Sequence, residues 1–322
     1  MSWTGGLSGR VLAIVGPTAV GKSALAVQVG KELTGEIIAL DSRQVYRNMS
    51  IGTVQPAERD REEIPHHLYG ILKPDHPISA GEYARLAEAR IDEILQKGKE
   101  PIICGGSGLY FRALTQGLFE GSTSDSSVRE RLQRELNKRG SSELLKRLRK
   151  IDPEYAKIVH PNNPKRLLRA LEIYETTGVP PSEHFRRHER KSSRHDFFSV
   201  YLRVSARELD DRIRKRTGKM LNAGWIEETK RLLVSGYSRD SHPMDSLGYG
   251  QIIAYLENRI DFDRMVDLIH IKTRQYARKQ VKWFDREHID LCLGPDVVLG
   301  KDKKTIARMV VREFKKGLMR EG

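Results

Sequence analysis

The sequence predicts an α/β fold in which a parallel sheet is covered by helices and interrupted by an all-helical insertion. Over the first hundred residues, short apolar runs alternate with amphipathic stretches, which is typical of parallel strands joined by helices. The segment 121–196 then carries apolar residues at helical spacing. The strand and helix pattern returns afterwards, so we expect one discontinuous core, 1–120 with 197–322, around a helical domain at 121–196.

The first part of the core is predicted from apolar runs and helix-starting signals. Ser79 is followed three residues later by Glu82, a capping box in which both residues satisfy free N–H groups of a helical first turn. Parallel strands end at one edge of their sheet, so we expect a ligand there. The predicted strands are Val11–Val15, Glu36–Leu40 and Pro101–Cys104, and the predicted helices are Lys22–Leu33 and Ser79–Lys97.

The insertion and the second part of the core follow the same reasoning. GSTSDSS, from Gly121, is predicted to be a loop, and Gly178 to Pro181 ends the helices of the insertion. A second capping box, Ser205 with Glu208, begins a helix of the core. The predicted elements are helices within Val128–Glu175, a strand at Phe197–Val204, and helices from Ser205, at Leu247–Glu257, at Phe262–Arg286 and at Lys301–Lys316.

The balance of charge favours a polyanionic partner. The chain has 57 Lys and Arg against 43 Asp and Glu, a formal net charge of +14. The stretch from Asp125 to Asp196 has 18 basic and 11 acidic residues, so it carries half of that excess, and Phe185–Arg194 is its most basic tract. Nucleic acid is the leading candidate, and a merely soluble basic protein is the alternative.

Neither membrane insertion nor a disulfide scaffold is indicated. No apolar run approaches the roughly 20 residues that cross a bilayer, and MSWTGGLSGR lacks the layout of a signal peptide. Cys104 and Cys292 are too few and too far apart for a metal knuckle, so we expect two reduced thiols and a cytoplasmic protein. Nothing suggests an obligate dimer, and we expect a monomer.

A phosphate-binding loop joins the first strand to the first helix. The spacing G-x-x-x-x-G-K-S predicts a loop whose backbone N–H groups surround phosphate oxygens at a helix N-terminus. Lys22 supplies a point charge and Ser23 a hydroxyl for Mg²⁺. A parallel sheet that carries this loop is predicted to be a P-loop NTPase-like core. Nucleoside triphosphate is the default ligand of such a loop. The loop residues are Gly16, Pro17, Thr18, Ala19, Val20, Gly21, Lys22 and Ser23.

Two further strand ends carry groups that could act on a ligand at the loop. Asp41 follows the second strand and could bind Mg²⁺ or accept a proton, although aspartate also commonly caps a turn. Ser107, in the glycine-rich turn Gly105–Tyr110, places a hydroxyl at the same edge, although serine also caps helices.

Basic residues on two predicted helices are candidate ligands for phosphates. Arg212 and Arg216 are four apart and share a helix face, as in lid helices that clamp phosphates, or they form a solvated face. Thr273–Phe284 interleaves cations with aromatics, which suits nucleic acid, although its aromatics could instead pack on the core. His66 and His67 lack a third ligand of matching spacing, so structural or surface roles are expected for them.

Together these motifs resemble those of the tRNA dimethylallyltransferases, also called tRNA isopentenyltransferases, and bacterial members most of all. The resemblance covers nearly the whole chain, from about Gly16 to Phe284, in the family's order. It uses GPTAVGKS, DSRQVY, IGT, IPHHL, GGSGLYFRAL, HPNNPKRLLRALEIYETTG and RQYARKQVKWF.

The resemblance implies that the loop holds the diphosphate of dimethylallyl diphosphate rather than ATP. The five-carbon group would pass to N6 of the adenine next to the anticodon. Asp41 resembles the family's general base, and Ser107 stands where many members have threonine. The loop amides, Lys22, Arg212, Arg216 and Mg²⁺ would neutralise the departing diphosphate.

The resemblance also implies contacts with the anticodon stem-loop of tRNA. Gln44 could hydrogen-bond an adenine edge bidentately, and Gly250 stands where relatives often carry arginine, which leaves a contact there open. The implied contacts are Asp41, Ser42, Arg43, Gln44, Ser107, Arg129, Lys165, Arg166, Leu167, Leu168, Arg169, Arg278 and Gln280. The alternatives are an ATP-dependent small-molecule phosphotransferase, a prenyltransferase for free AMP or ADP, and a non-catalytic RNA-binding protein.

Overall fold

The computed structural model describes residues 10–117, 125–188, 194–239, 241 and 243–318. Within them the backbone forms six strands and fourteen helices. The strands are β1 (Arg10–Val15), β2 (Gly35–Leu40), β3 (His66–His67), β4 (Glu100–Gly105), β5 (Asp196–Leu202) and β6 (Leu291–Leu293). The helices are α1 (Lys22–Leu33), α2 (Glu58–Glu63), α3 (Ala80–Gln96), α4 (Gly108–Thr115), α5 (Ser126–Ile151), α6 (Pro153–Ile158), α7 (Pro164–Thr177), α8 (Pro181–His188), α9 (Ala206–Asn222), α10 (Trp225–Val234), α11 (Tyr249–Leu256), α12 (Phe262–Phe284), α13 (Pro295–Gly300) and α14 (Lys303–Leu318).

The strands form one parallel sheet in the order β3-β2-β4-β1-β5-β6. Leu12 in β1 is in register with Ile102 of β4 on one side and with Phe198 of β5 on the other. Strands β1, β2 and β4 are apolar and almost wholly buried, because helices cover both faces of a parallel sheet. The predicted α/β core with a parallel sheet is confirmed.

Helix starts in the core follow the capping signals of the sequence. The Ser79 hydroxyl accepts from the Glu82 N–H at 3.1 Å, and the Ser205 hydroxyl accepts from the Glu208 N–H at 3.2 Å. Both helices begin one residue later, as predicted. Helix α14 packs against α1, and α12 packs against both α9 and α11.

The chain divides into two compact units, Met1–Phe111 with His195–Gly322, and Arg112–Arg194. The second unit is built around leucines that face one another from α5 and α7, including Leu132, Leu148 and Leu171. Helix α5 is interrupted at Gly140, whose φ of 76° lies in the left-handed region that favours glycine. Residues 121–124 of the predicted loop 121–127 and residues 189–193 of the basic tract lie outside the described residues, as does the N-terminal segment to residue 9. Ser126 and Ser127, at the end of the predicted loop, already belong to α5, because Asp125 caps that helix.

Several short elements escaped the sequence interpretation. Pro181–His188 is a helix, although Pro180-Pro181 was expected to end the helical segment. Proline is tolerated in the first turn of a helix, where its missing N–H has no partner to lose. Strand β3 has only two residues and β6 three, too few to show a pattern. The other elements without a prediction are α2, α10 and α13.

Candidate active site

The phosphate loop between β1 and α1 requires glycine at two positions. Gly16 has a φ of +147°, and a Cβ there would lie 2.8 Å from the Leu202 carbonyl oxygen of β5. Gly21 has a φ of +106° and directly precedes α1. The side chain of Val20 is fully buried. The loop is thus shaped by its backbone, as a site that presents N–H groups to an anion must be.

Lys22 lies over its own loop. Its ammonium donates to the Pro17 carbonyl at 2.8 Å. Burial lowers the pKa of Lys22 to about 8, although the nearby Asp41 carboxylate opposes the change. Burial also raises the pKa of the Cys104 thiol, which lies beside Lys22 and Ser23, to about 11. The thiol is therefore neutral, and an anion bound beside Lys22 would stabilise the charged form of the lysine.

The two arginines of α9 reach the loop from different sides. Arg216 donates to the Thr18 hydroxyl at 3.0 Å, and burial lowers the pKa of its guanidinium while Asp41 raises it. Arg212 donates to the Val20 carbonyl at 3.0 Å and to Glu208 at 2.6 Å. Because the amide N–H groups and not the carbonyls of such a loop face the anion, Arg212 braces the loop from outside. Its direct contact with a diphosphate stays a prediction.

Asp41 follows β2 and lines a cavity of about 280 Å³, here called the Asp41 cavity. One carboxylate oxygen accepts from the Arg43 N–H at 2.8 Å, which is the turn-capping contact expected as the alternative role. Asp41 makes this bond and also lines the cavity, so the two roles are compatible. The cavity is also lined by Thr18, Arg43, Arg216, Trp225 and Tyr276.

Ser107 begins helix α4 rather than lining the Asp41 cavity. Its N–H and that of Gly106 both donate to the Leu40 carbonyl at 3.2 Å, and its own carbonyl accepts from Phe111 at 2.9 Å. These bonds hold the end of β4 against the end of β2. Ser107 therefore stands directly before α4, where a capping serine was the expected alternative, and its half-buried side chain stays a predicted contact.

Gln280 is a structural tie within the protein, and its role as an RNA contact stays a prediction. Its side chain is 5% exposed. The amide oxygen accepts from the Thr18 N–H at 2.8 Å, and the amide nitrogen donates to the Gly106 carbonyl at 2.8 Å. A Cβ at Gly106 would lie 2.3 Å from that nitrogen, so glycine makes room for the tie.

Gln44 is also engaged within the protein. Its amide nitrogen donates to the carbonyls of Thr53 at 3.0 Å and Val54 at 2.8 Å. Both N–H groups are occupied, so bidentate reading of an adenine edge would require these bonds to break, and it stays a prediction. Ser42 and Arg43 line the Asp41 cavity, and their contacts with tRNA stay predictions as well.

Glu228, on α10, was not singled out in the sequence. Its carboxylate is 2% exposed and accepts from the Ile51 and Gly52 N–H groups at 2.8 and 2.9 Å and from the Tyr249 hydroxyl at 2.7 Å. A Cβ at Gly52 would lie 2.1 Å from the Trp225 ring nitrogen. One buried acid thus fixes the 50–53 segment against the Asp41 cavity. The only local signal, glutamate in a helical first turn, is common to many helices.

The predicted tRNA contacts in the second unit divide by burial. Leu167 and Leu168 are 0% and 6% exposed and belong to the unit's core, and contacts between them and RNA stay predictions. Lys165 and Arg166 are exposed, and Arg166 lies over the Tyr155 ring at 5.7 Å. Arg169 pairs with Glu172 at 3.0 Å. In α5 and α12, Arg129 and Arg278 are exposed.

The two histidines have structural partners. They form β3, where the His67 ring nitrogen lies 2.7 Å from Glu36, and His66 lies 2.7 Å from the Ile64 carbonyl. In the part of the chain that the structure describes, no group of three or more His, Cys, Asp or Glu side chains could hold a metal ion. Nor does any described helix have the length and apolarity to traverse a bilayer.

The fold and the loop define a P-loop-like α/β protein whose glycine-rich loop adjoins the Asp41 cavity. A family model described as IPP transferase matches residues 44–287. The chain therefore belongs to the IPP transferase family.

Relatives and solved structures agree over most of the chain. A tRNA dimethylallyltransferase of Thermotoga neapolitana is 42% identical over 94% of this chain and 99% of its own length. A tRNA isopentenylpyrophosphate transferase from Bacillus halodurans is 32% identical with a TM-score of 0.71, covering 98% of this chain and 99% of that one. A eukaryotic dimethylallyltransferase acting on tRNA has 26% identity and a TM-score of 0.82, covering 96% and 80%.

Proposed function

We propose that this protein transfers the dimethylallyl group of dimethylallyl diphosphate to N6 of the adenine 3′-adjacent to the anticodon in tRNA. The products are N6-(dimethylallyl)adenosine and diphosphate. The observation that carries the proposal is the meeting of a phosphate loop with a carboxylate: Thr18, Arg216 and Asp41 line one cavity. Relatives over nearly the whole chain bear the name of this activity.

The loop side of the cavity binds the leaving group. Breaking the allylic C–O bond leaves positive charge on carbon and negative charge on diphosphate. Loop amides, Lys22 and Arg216 are fixed where that negative charge develops, and preorganised donors of this kind are among the strongest contributions to catalysis. Apolar side chains of the same cavity, including Met220 and Ile269, suit the five-carbon group.

Mg²⁺ fits the residues present. Ser23 is an exposed residue in the first turn of α1, next to Lys22, and its hydroxyl forms a hydrogen bond with the Cys104 thiol. Mg²⁺ commonly keeps several waters and binds phosphate oxygens with few protein ligands, so a hydroxyl beside a diphosphate is a suitable donor set. When bound, the ion would neutralise charge on the leaving diphosphate.

Asp41 serves the nucleophile. An exocyclic adenine amine is a weak nucleophile, and it must lose a proton once its nitrogen has bonded to the allylic carbon. The Asp41 carboxylate, oriented by the Arg43 N–H, accepts that proton. The Ser107 hydroxyl would lie at the same end of the sheet.

The basic helical unit serves recognition. A free mononucleotide needs no such surface, whereas an anticodon stem-loop presents many phosphates. Lys165, Arg166 and Arg129 are exposed there for phosphate contact. We propose further that the protein acts as a cytoplasmic monomer.

Incubation with dimethylallyl diphosphate, Mg²⁺ and unmodified tRNA tests the proposal. We expect diphosphate release and a prenylated adenine in nucleoside mass spectrometry, and no product from a tRNA with guanine at the target position. ATP turnover to ADP without prenylation would favour a phosphotransferase instead. Prenylation of AMP in preference to tRNA would favour the mononucleotide acceptor.

A further inference from the structure

A second cavity, of about 530 Å³, adjoins the Asp41 cavity along α9 and is here called the cationic cavity. Four of its lining residues are Arg212, Lys215, Arg216 and Lys219. Their spacing of three and four places them on one helix face. Opposite them lie Ala19 of the phosphate loop and the segment 50–55, so the cavity opens directly onto the loop.

The two cavities share a wall. Arg216 and Met220 line both of them, and Arg216 also holds the Thr18 hydroxyl. A diphosphate at the loop therefore has the cationic cavity on one side and Asp41 on the other. The proposed roles of Arg212 and Arg216 at the loop leave Lys215 and Lys219 without an assignment.

The charges of the two lysines are not neutralised locally. Arg212 pairs with Glu208 at 2.6 Å, whereas neither Lys215 nor Lys219 pairs with an acidic side chain among the residues that the structure describes. Both lysines are exposed, so they are reachable from solvent. Cations lining a concave site raise the local concentration of an anionic ligand and its rate of association.

We propose that Lys215 and Lys219 capture the diphosphate end of the incoming donor in the cationic cavity and deliver it to the phosphate loop. This inference rests on the proposed function, because it names the residues by which that site acquires its donor. The lysines act before the reaction and make no contact that strengthens as the C–O bond breaks.

A small diphosphate fits this cavity better than RNA does. Its volume falls within the range of small-molecule sites, about 300 to 1,000 Å³. Its floor includes apolar side chains, Ile51, Val54 and Met220, which suit the five-carbon group and offer nothing to a phosphodiester backbone. An isoprenoid diphosphate combines these two chemistries in one molecule.

The test is the double variant Lys215→Gln/Lys219→Gln, with Lys230→Gln/Lys304→Gln as a control that removes two exposed charges from α10 and α14. We expect the donor KM to rise on the order of 10-fold with kcat within about 2-fold, and the difference to shrink as salt is added. The control should behave as the parent protein.

Calorimetry with inorganic diphosphate and Mg²⁺ separates this inference from the proposed function, because it needs neither prenyl transfer nor RNA. Weaker diphosphate binding by the lysine variant alone supports capture even if no prenylated product forms. Unchanged diphosphate binding and donor KM would overturn it. Weaker tRNA binding with unchanged diphosphate binding would also overturn it and assign the surface to RNA.

Discussion

Arg216 of α9 donates a hydrogen bond to the Thr18 hydroxyl of the phosphate loop, 3.0 Å away, inside a cavity that Asp41 also lines. This contact sets the helix at a fixed distance from the loop. It also places a planar cation between the site of the leaving group and the site of the base. The consequences of that arrangement can be measured.

Replacing Arg216 by lysine should lower kcat by roughly 10²–10³-fold, the scale for losing one preorganised donor. Lysine keeps the charge but lacks the planar fork that can hold Thr18 and a phosphate oxygen together. Single-turnover rates with saturating donor measure the effect. Arg214→Lys, at an exposed position of the same helix, is the control, and equal rates for the two variants would contradict the role.

Asp41→Asn should lower turnover by roughly 10²–10⁴-fold, the usual scale for a general base. Asparagine can still accept from the Arg43 N–H, so the turn should survive and tRNA should bind with parental affinity. Rapid-quench kinetics and a filter-binding assay give the two quantities. Full turnover by the variant would remove Asp41 from the mechanism.

Diphosphate affinity should fall as pH rises through about 8, because burial lowers the pKa of Lys22 from 10.5 to about 8 in the free protein. A bound anion stabilises the ammonium and raises its pKa, so binding above that pH must take up a proton, while below it the lysine is already charged. Calorimetry on both sides of pH 8 measures this. In the Lys22→Arg variant, the fall in diphosphate affinity that is caused by deprotonation of Lys22 should disappear. An identical pH profile in the variant and the parent protein would exclude Lys22 as its cause.

Gln280→Ala should destabilise the fold by about 1–3 kcal/mol, because it leaves the Thr18 N–H and the Gly106 carbonyl without their partner. Diphosphate binding should weaken with it, since Thr18 belongs to the loop. Affinity for tRNA should not change. Chemical denaturation and binding titrations check this against Gln275→Ala, which alters an exposed glutamine of the same helix. Loss of tRNA affinity without loss of stability would instead support a contact between Gln280 and RNA.

Lys165→Gln/Arg166→Gln should weaken tRNA binding about equally for all tRNA sequences and reduce the slope of log affinity against log salt by up to about 2. Both side chains are exposed on the first turn of α7, so the fold should tolerate the change. Titrations at several salt concentrations give the slope. A slope equal to that of the parent protein would clear both residues of phosphate contact.

Features encoded by near neighbours in the chain were predictable. The phosphate loop, the capping serines Ser79 and Ser205, and the buried strands each depend on residues within one short window. The helix Lys22–Leu33 is found with the limits expected for it. Local hydrogen bonding and apolar periodicity are sufficient for such elements.

Features that depend on distant partners were not predictable. Gln280 acquires its role from Thr18, which lies 262 positions away, and Glu228 from Ile51, which lies 177 positions away. Leu167 and Leu168 stand in a motif with cations, yet the face of a helix that a residue occupies decides its burial. Membership of a motif therefore indicated a region of the chain but not which of its side chains are exposed.

The central strand β1 pairs with β5, and the loop that follows β1 is closed off by a carbonyl of β5, at Leu202. The ribosome must therefore synthesise more than half of the polypeptide before the loop can pack against β5. Helix α14, which supports α1, is translated later still. We therefore expect a nascent chain that ends before β5 and α14 to lack the packing that shapes the loop, so that the site forms only late in synthesis.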